Sequence, residues 1–240
     1  MPITSDHRTT EAERQRIAEV YAQRDRTGTQ NEALLASVAY AQSVKHRLFA
    51  GALRAAGVTD LSELRIADIG CGTGAFLRSL CEWGAVPANL TGVEYLPDRI
   101  ERARTISHPD IQWVLGDLSD GTEGQFDLTT ANLVFSSILD AHLRNRLATE
   151  MWDRTLPGGL LMIFDFRYDN PSNPNVRKVT AQEMTALWPG TEVFRQTGLL
   201  LPPLVRRMTG SGFTLAEALT RLFPFLRSHF LLCVRKPLTS

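Results

Sequence analysis

Asp68-Ile69-Gly70-Cys71-Gly72-Thr73-Gly74 sets one carboxylate ahead of three glycines at alternate positions. Glycine accepts positive φ and carries no Cβ, so a ligand can lie directly against this stretch of main chain. The spacing decides which ligand. A dinucleotide loop runs G-x-G-x-x-G, needs no acid before it, and seats a pyrophosphate. Here Asp68 puts negative charge where a cationic ligand group would sit, which is a poor seat for phosphate. Glu94 follows the last glycine by about twenty residues, where an acid that accepts both hydroxyls of a ribose belongs. The pattern is that of a nucleotide-cofactor site whose ligand carries positive charge.

These residues require elements to hold them. Leu64 to Ile69 is mostly apolar and suits a buried parallel strand, and a helical pattern resumes at Ala75-Phe76-Leu77. Leu90 to Glu94 reads as a second strand, followed by Pro97 as a first helical residue with Asp98 beside it. Ile111 to Leu115 reads as a third strand ending in Gly116-Asp117-Leu118, Phe126 to Val134 as a fourth, Ala141 to Arg154 as a helix, and Leu160 to Phe164 as a fifth strand after a Leu156-Pro157-Gly158-Gly159 turn. Such alternation implies a parallel sheet covered on both faces. The tail predicts a helix over 180–188 and strands over 192–197 and 230–235, with an insertion of about 199–226 rich in Leu, Pro, Phe and Arg. Before the first strand, residues 9–27 and 31–56 read as helices. The expected organisation is an N-terminal helical cover over 1–57 and a cofactor-binding core over 58–240.

The D-x-G-x-G-x-G order resembles motif I of the class I S-adenosylmethionine-dependent methyltransferases, whose cofactor bears an ammonium and a sulfonium. That resemblance implies a Rossmann-like α/β fold: a mostly parallel seven-stranded sheet with an antiparallel last strand and helices on both faces. It implies that Asp68, Gly70, Cys71, Gly72, Thr73 and Gly74 bind S-adenosylmethionine, with Glu94 and Tyr95 at the ribose. Asp117 and the Leu118 amide then hold the adenine edge, and Asn132 and Phe135 are further cofactor contacts. From the N-terminus, Tyr21 and Arg24 are expected to close over the cofactor, Arg24 reaching its carboxylate.

The acceptor is expected beyond the ends of the fourth and fifth strands. The fourth strand lacks the N-P-P-Y or D-P-P-Y sequence of enzymes that methylate adenine amino groups or glutamine amides, since Leu133 and Val134 stand where the prolines would be. The stretch Asp165-Phe166-Arg167-Tyr168-Asp169-Asn170-Pro171 resembles a subset of bacterial small-molecule methyltransferases and suggests Arg167, Tyr168 and Asn170, with Ser136, as substrate contacts; Asn-Pro turns stapling a loop account for it equally well. A hydroxyl acceptor also needs a proton acceptor. His142 is the first candidate: if Asp140 caps the following helix, His142 lies in its first turn, where the helix dipole favours neutral imidazole. Asp165 and His229 are the second and third.

With 26 basic and 26 acidic residues, the chain has no net field to attract nucleic acid or membrane, so neither is an expected partner. Its three cysteines show no C-x-x-C spacing, and no spacing of acids or histidines predicts a metal site. No leader or membrane-length apolar run is read, so a cytoplasmic enzyme is expected. The function expected is methyl transfer to a small molecule, foremost a hydroxyl of a sugar or secondary-metabolite intermediate. The alternatives are N-methylation of a small amine, and a non-methylating cyclase or isomerase that binds the same cofactor. A nicotinamide oxidoreductase ranks behind both.

Overall fold

The computed structural model describes residues 4–27, 35–118, 124–205 and 212–238. Two helices lead, α1 (Thr4–Thr27) and α2 (Ala36–Ala55). Strands and helices follow as β1 (Ile66–Ile69), α3 (Ala75–Glu82), β2 (Leu90–Glu94), α4 (Pro97–Ile106), β3 (Gln112–Leu115), β4 (Phe126–Asn132), α5 (Ala141–Arg154), β5 (Thr155–Phe166) and α6 (Ala181–Leu187). The tail adds β6 (Thr191–Leu200), the short α7 (Pro202–Val205), α8 (Gly212–Leu222) and β7 (Arg227–Arg235). Among the described residues, seven strands form one sheet in the order β3-β2-β1-β4-β5-β7-β6. The first five pair in parallel, and β7 runs antiparallel between β5 and β6. This is the Rossmann-like sheet that the strand pattern and the glycine motif predict.

Burial on both faces explains the apolar strands. One face packs Ile66, Leu128, Leu160, Met162 and Phe164 with Leu48, Phe49, Phe76 and Leu80 of α2 and α3. The other packs Ala67, Ile69, Ala131, Leu161 and Ile163 with Ala148 and Met151 of α5, Met184 of α6 and Trp188 just after it. The helix α2 also lies on β6, where a Cβ on Gly198 would come within 2.9 Å of Val44.

Several boundaries differ from the sequence reading, and two of them have a clear local cause. The Leu156 to Gly159 turn is part of β5, which starts at Thr155 opposite Phe126 and shifts register before Leu160. Gly158 at φ 79° takes up that irregularity, and its N–H donates to the Lys236 carbonyl. The fourth strand stops at Asn132 because Leu133 turns into the left-handed region at φ 59°. No described helix is long and apolar enough to cross a membrane.

The strand order reverses between β1 and β4. Their carboxyl ends therefore flank the crevice in which a doubly wound sheet binds its ligand. The glycine loop, Glu94, Asp117 and Asn132 all leave the sheet at this edge.

Candidate active site

All three glycines after β1 have positive φ: 64° at Gly70, 57° at Gly72 and 77° at Gly74. At Gly70 the space is also closed to a side chain, since a Cβ there would lie 2.5 Å from Val134. The loop thus presents bare backbone between β1 and α3, as its composition predicts.

Asp68, next to last in β1, is fully buried. Thr130 Oγ1 donates to its Oδ1 at 2.6 Å and Asn132 Nδ2 to the same oxygen at 3.0 Å. Burial pushes its pKa up to about 6, against the pull of those two hydrogen bonds and of the Lys45 ammonium. Lys45 belongs to α2 and sits 5.2 Å from the centre of the Phe76 ring; burial lowers its proton affinity while Asp68 opposes the shift. The remaining amide atom of Asn132, Oδ1, is buried without a hydrogen-bond partner among the described residues, and Asn132 lines the cavity below. A carboxylate, an unpaired carbonyl acceptor and an ammonium in one corner match the two ends of an α-amino acid group: acceptors for its amine, a cation for its carboxylate.

Glu94 is positioned by amides. Its Oε2 accepts from Gly72 N–H at 2.9 Å, and its Oε1 from the N–H groups of Tyr95 and Leu96 at 2.8 and 3.2 Å. These bonds fix the Glu94 side chain at the rim, where its oxygens face the ribose position expected from the sequence.

A cavity of about 570 Å³ joins these features. Ile69, Gly70, Val93 and Glu94 form its base; Gly116, Asp117 and Leu118 close one end; Leu143, Arg146, Leu147 and Glu150 of α5 form a wall. Its cover is α1, through Arg14, Ile17, Ala18 and Tyr21, residues at helical spacing on one stripe. Polar contacts strap the helix down. Arg14 donates to Asp117 at 2.6 Å and to the Tyr95 hydroxyl at 3.0 Å. Arg16 donates to the Ser137 carbonyl at 2.6 Å, and the Tyr21 and Ser137 hydroxyls lie 3.1 Å apart. Glu13 accepts the amides of Leu139 and Asp140 at 2.5 and 3.3 Å.

Of the residues expected at the cofactor, the cavity is lined by Tyr21, Gly70, Glu94, Tyr95, Asp117, Leu118 and Asn132, with Asp68 directly beneath Asn132. Cys71, Gly72, Thr73 and Gly74 shape the loop without lining it; the Cys71 thiol contacts the Gly72 carbonyl. The side chain of Arg24 lies outside the described residues. Phe135 is placed elsewhere: fully buried, it packs edge-on against Trp188 at 6.0 Å in the core.

The expected bases and substrate contacts are also placed away from the cavity lining. His142 is exposed in the first turn of α5, although Asp140 caps that helix as expected, accepting from Leu143 N–H at 2.7 Å. Asp165 is buried and staples the loop after β4 to β5, accepting from Ser136 and Phe166 amides at 3.1 and 2.8 Å; burial pushes its pKa to about 6. His229 stacks on Phe164 at 5.1 Å and contacts Ser228 Oγ at 2.7 Å, and burial lowers its pKa to about 3. Ser136 is buried; its neighbour Ser137 lines the cavity instead. Arg167 donates to the carbonyls of Pro224 and Arg227, and Asn170 closes an Asx turn onto Ser172 N–H, so this loop follows the stapled alternative. Tyr168 is exposed with the Arg167 guanidinium over its ring.

Residues not anticipated at the site are Arg14, Arg99 and Arg146 in the cavity lining, and Lys45, coupled to Asp68. The Arg14-Ile17-Tyr21 stripe was the available signal for the first; the others look in sequence like ordinary helix-surface cations.

Comparison with known proteins agrees with this geometry. Residues 66–159 match the model of a family described as methyltransferase domain. No curated protein matches the chain in sequence. Among solved structures, magnesium protoporphyrin IX methyltransferase from Synechocystis PCC 6803, with S-adenosylmethionine bound, aligns over 93% of this chain and 97% of its own at TM-score 0.62 and 10% identity. N-methyltransferase NodS from Bradyrhizobium japonicum WM9 aligns over 80% and 96% at TM-score 0.55 and 20% identity. The cyclase SpnF aligns over 80% of each chain at TM-score 0.54 and 17% identity. Residues 66–159 thus match a methyltransferase domain, and the fold of the chain is that of S-adenosylmethionine-dependent methyltransferases of known structure.

Proposed function

We propose that the protein transfers a methyl group from S-adenosylmethionine to a small-molecule acceptor in a cytoplasmic biosynthetic step. The observation that carries this reading is the buried Asp68 beneath Asn132, whose unpaired Oδ1 belongs to a residue of the cavity wall, with the Lys45 ammonium electrostatically coupled to Asp68. Asp68 and Asn132 would take the cofactor ammonium and Lys45 its carboxylate, while Glu94 would take the ribose and Asp117 the adenine amino group. When bound, the cofactor supplies a methyl group already activated on a sulfonium, with a neutral leaving group. The protein then has to orient the acceptor in line with that bond and exclude water, which proximity and desolvation accomplish without covalent help. The α1 helix supplies the exclusion by covering the cavity.

A hydroxyl of a sugar or secondary-metabolite intermediate is one acceptor; a small amine is the other. The position of His142, Asp165 and His229 outside the cavity lining favours the amine, because a neutral amine attacks first and sheds its proton to water afterwards, with no positioned base. A screen of hydroxyl and amine acceptors with methyl-labelled S-adenosylmethionine tests the proposal. The expected product is heavier by one methylene, with stoichiometric release of S-adenosylhomocysteine. An isomerised product with no cofactor consumed would instead support a non-methylating enzyme.

A further inference from the structure

A second cavity, of about 240 Å³, lies between α2, β6, α8 and the start of β7, and shares no lining residue with the first. It sits at the edge of the sheet where Leu200 pairs with Arg227, the same edge that carries the glycine loop. Three guanidinium groups line it, from Arg47, Arg221 and Arg227, against a single carboxylate, Glu217. Arg47 already neutralises that carboxylate at 2.7 Å. Two positive charges therefore remain without an acidic partner among the described residues.

Arg227 is held ready rather than solvated at random. Its Nε donates to the Thr220 carbonyl at 2.9 Å and its Nη1 to Thr197 Oγ1 at 3.3 Å, which orients the fork and leaves Nη2 without a hydrogen bond among the described residues. The buried Tyr40 lines the same cavity. The wall contains the second non-glycine residue with positive φ, Leu199 at 61°, whose carbonyl is gripped by Ser228 Oγ at 3.1 Å. Left-handed leucine is costly and persists where the surroundings impose it, commonly beside ligands.

We propose that this cavity is an anion subsite that takes a phosphate or carboxylate group, with Arg221 and Arg227 as its ligating residues. A planar guanidinium donates two parallel hydrogen bonds to such a group, and an oriented one loses little freedom in doing so. The group can be carried by the methyl acceptor or arrive as a free anion. Only the first of these sources rests on the methyltransferase reading.

Inorganic phosphate is the probe, titrated calorimetrically at low ionic strength into the full chain saturated with S-adenosylhomocysteine. Saturable binding is expected, weakened about tenfold by Arg221→Gln and about tenfold by Arg227→Gln, while affinity for S-adenosylhomocysteine stays within about twofold. Arg221 is exposed and makes no hydrogen bond or ion pair among the described residues, so its variant keeps the test open if Arg227→Gln misfolds. Absence of saturation by about 50 mM phosphate, or equal affinity in Arg221→Gln and native protein, overturns the proposal. In the labelled-methyl assay, phosphate that competes with the acceptor identifies the acceptor's own anionic group as the occupant; phosphate that changes turnover without competing identifies a free anion. Phosphate binding without any binding of S-adenosylhomocysteine would uphold this subsite and remove the proposed function.

Discussion

Asp68 carries opposing demands. Its burial favours the neutral acid, with a pKa of about 6, yet a cationic ligand needs the carboxylate. Cofactor binding and deprotonation must therefore be linked. Affinity for S-adenosylhomocysteine, measured by calorimetry, should fall as pH drops through about 6 and approach a tenfold loss per pH unit below it. Asp68→Asn should bind about a hundredfold more weakly than the native protein at neutral pH, with a flat profile through the same range. A flat profile in the native protein would assign the ammonium to some other group. For stability the sign reverses: with a folded pKa raised above the unfolded 3.8, the group's contribution is full below that value and is lost as pH rises through about 6.

Among the elements, α1 depends most on polar contacts and least on a packed face. Its polar straps converge on residues 137–140 and on Asp117, and Glu13 does for the loop before α5 what a capping side chain does for a helix. Burial would raise the Glu13 pKa, but Arg16 and the two amides together hold it below the ordinary carboxylate range, so the strap persists in mild acid and releases only at lower pH. Glu13→Ala leaves both amides without their acceptor. The expected result is faster proteolytic cleavage within α1 and about tenfold weaker binding of S-adenosylhomocysteine, with the main unfolding transition unmoved. Unchanged protection of α1 would mean that its apolar stripe suffices to hold it.

For the molecule as a whole, the two faces of the sheet divide their duties. The face packed by α2 and α3 carries the Phe49–Phe76 contact at 4.4 Å and Lys45, beside the cofactor loop. The opposite face is closed by Trp188, fully buried, whose Nε1 donates to the Ala148 carbonyl at 2.9 Å and so ties the end of α6 to α5. Trp188→Ala should cost about 3–5 kcal/mol in urea unfolding, from lost contacts and the cavity left behind. Below its transition the variant should keep most of its affinity for S-adenosylhomocysteine, because Trp188 does not itself line the cavity and meets α5 at Ala148, which does not line it either.

Local chemistry was readable directly. Three alternating glycines require one kind of turn, Asp68 and Glu94 close strands whose apolar runs bury them on both sides, and Asp140 caps a helix whatever surrounds it. These depend on a few neighbouring backbone angles, so residues 66–159 disclosed the parallel strands of the sheet and their pairing, and Asp68 the expectation of a positively charged ligand. Facing was not readable. Asp165, Ser136, Phe135 and His229 occupy the expected places along the chain, yet a strand sends successive side chains to opposite faces and a loop can fold its polar groups inward onto its own amides. Arg14 and Lys45 looked like solvated helix cations until the packing of α1 and α2 carried one over Asp117 and the other beside Asp68. Which side chains share a cavity is set by contacts between elements far apart in the chain, and only the folded arrangement supplies those.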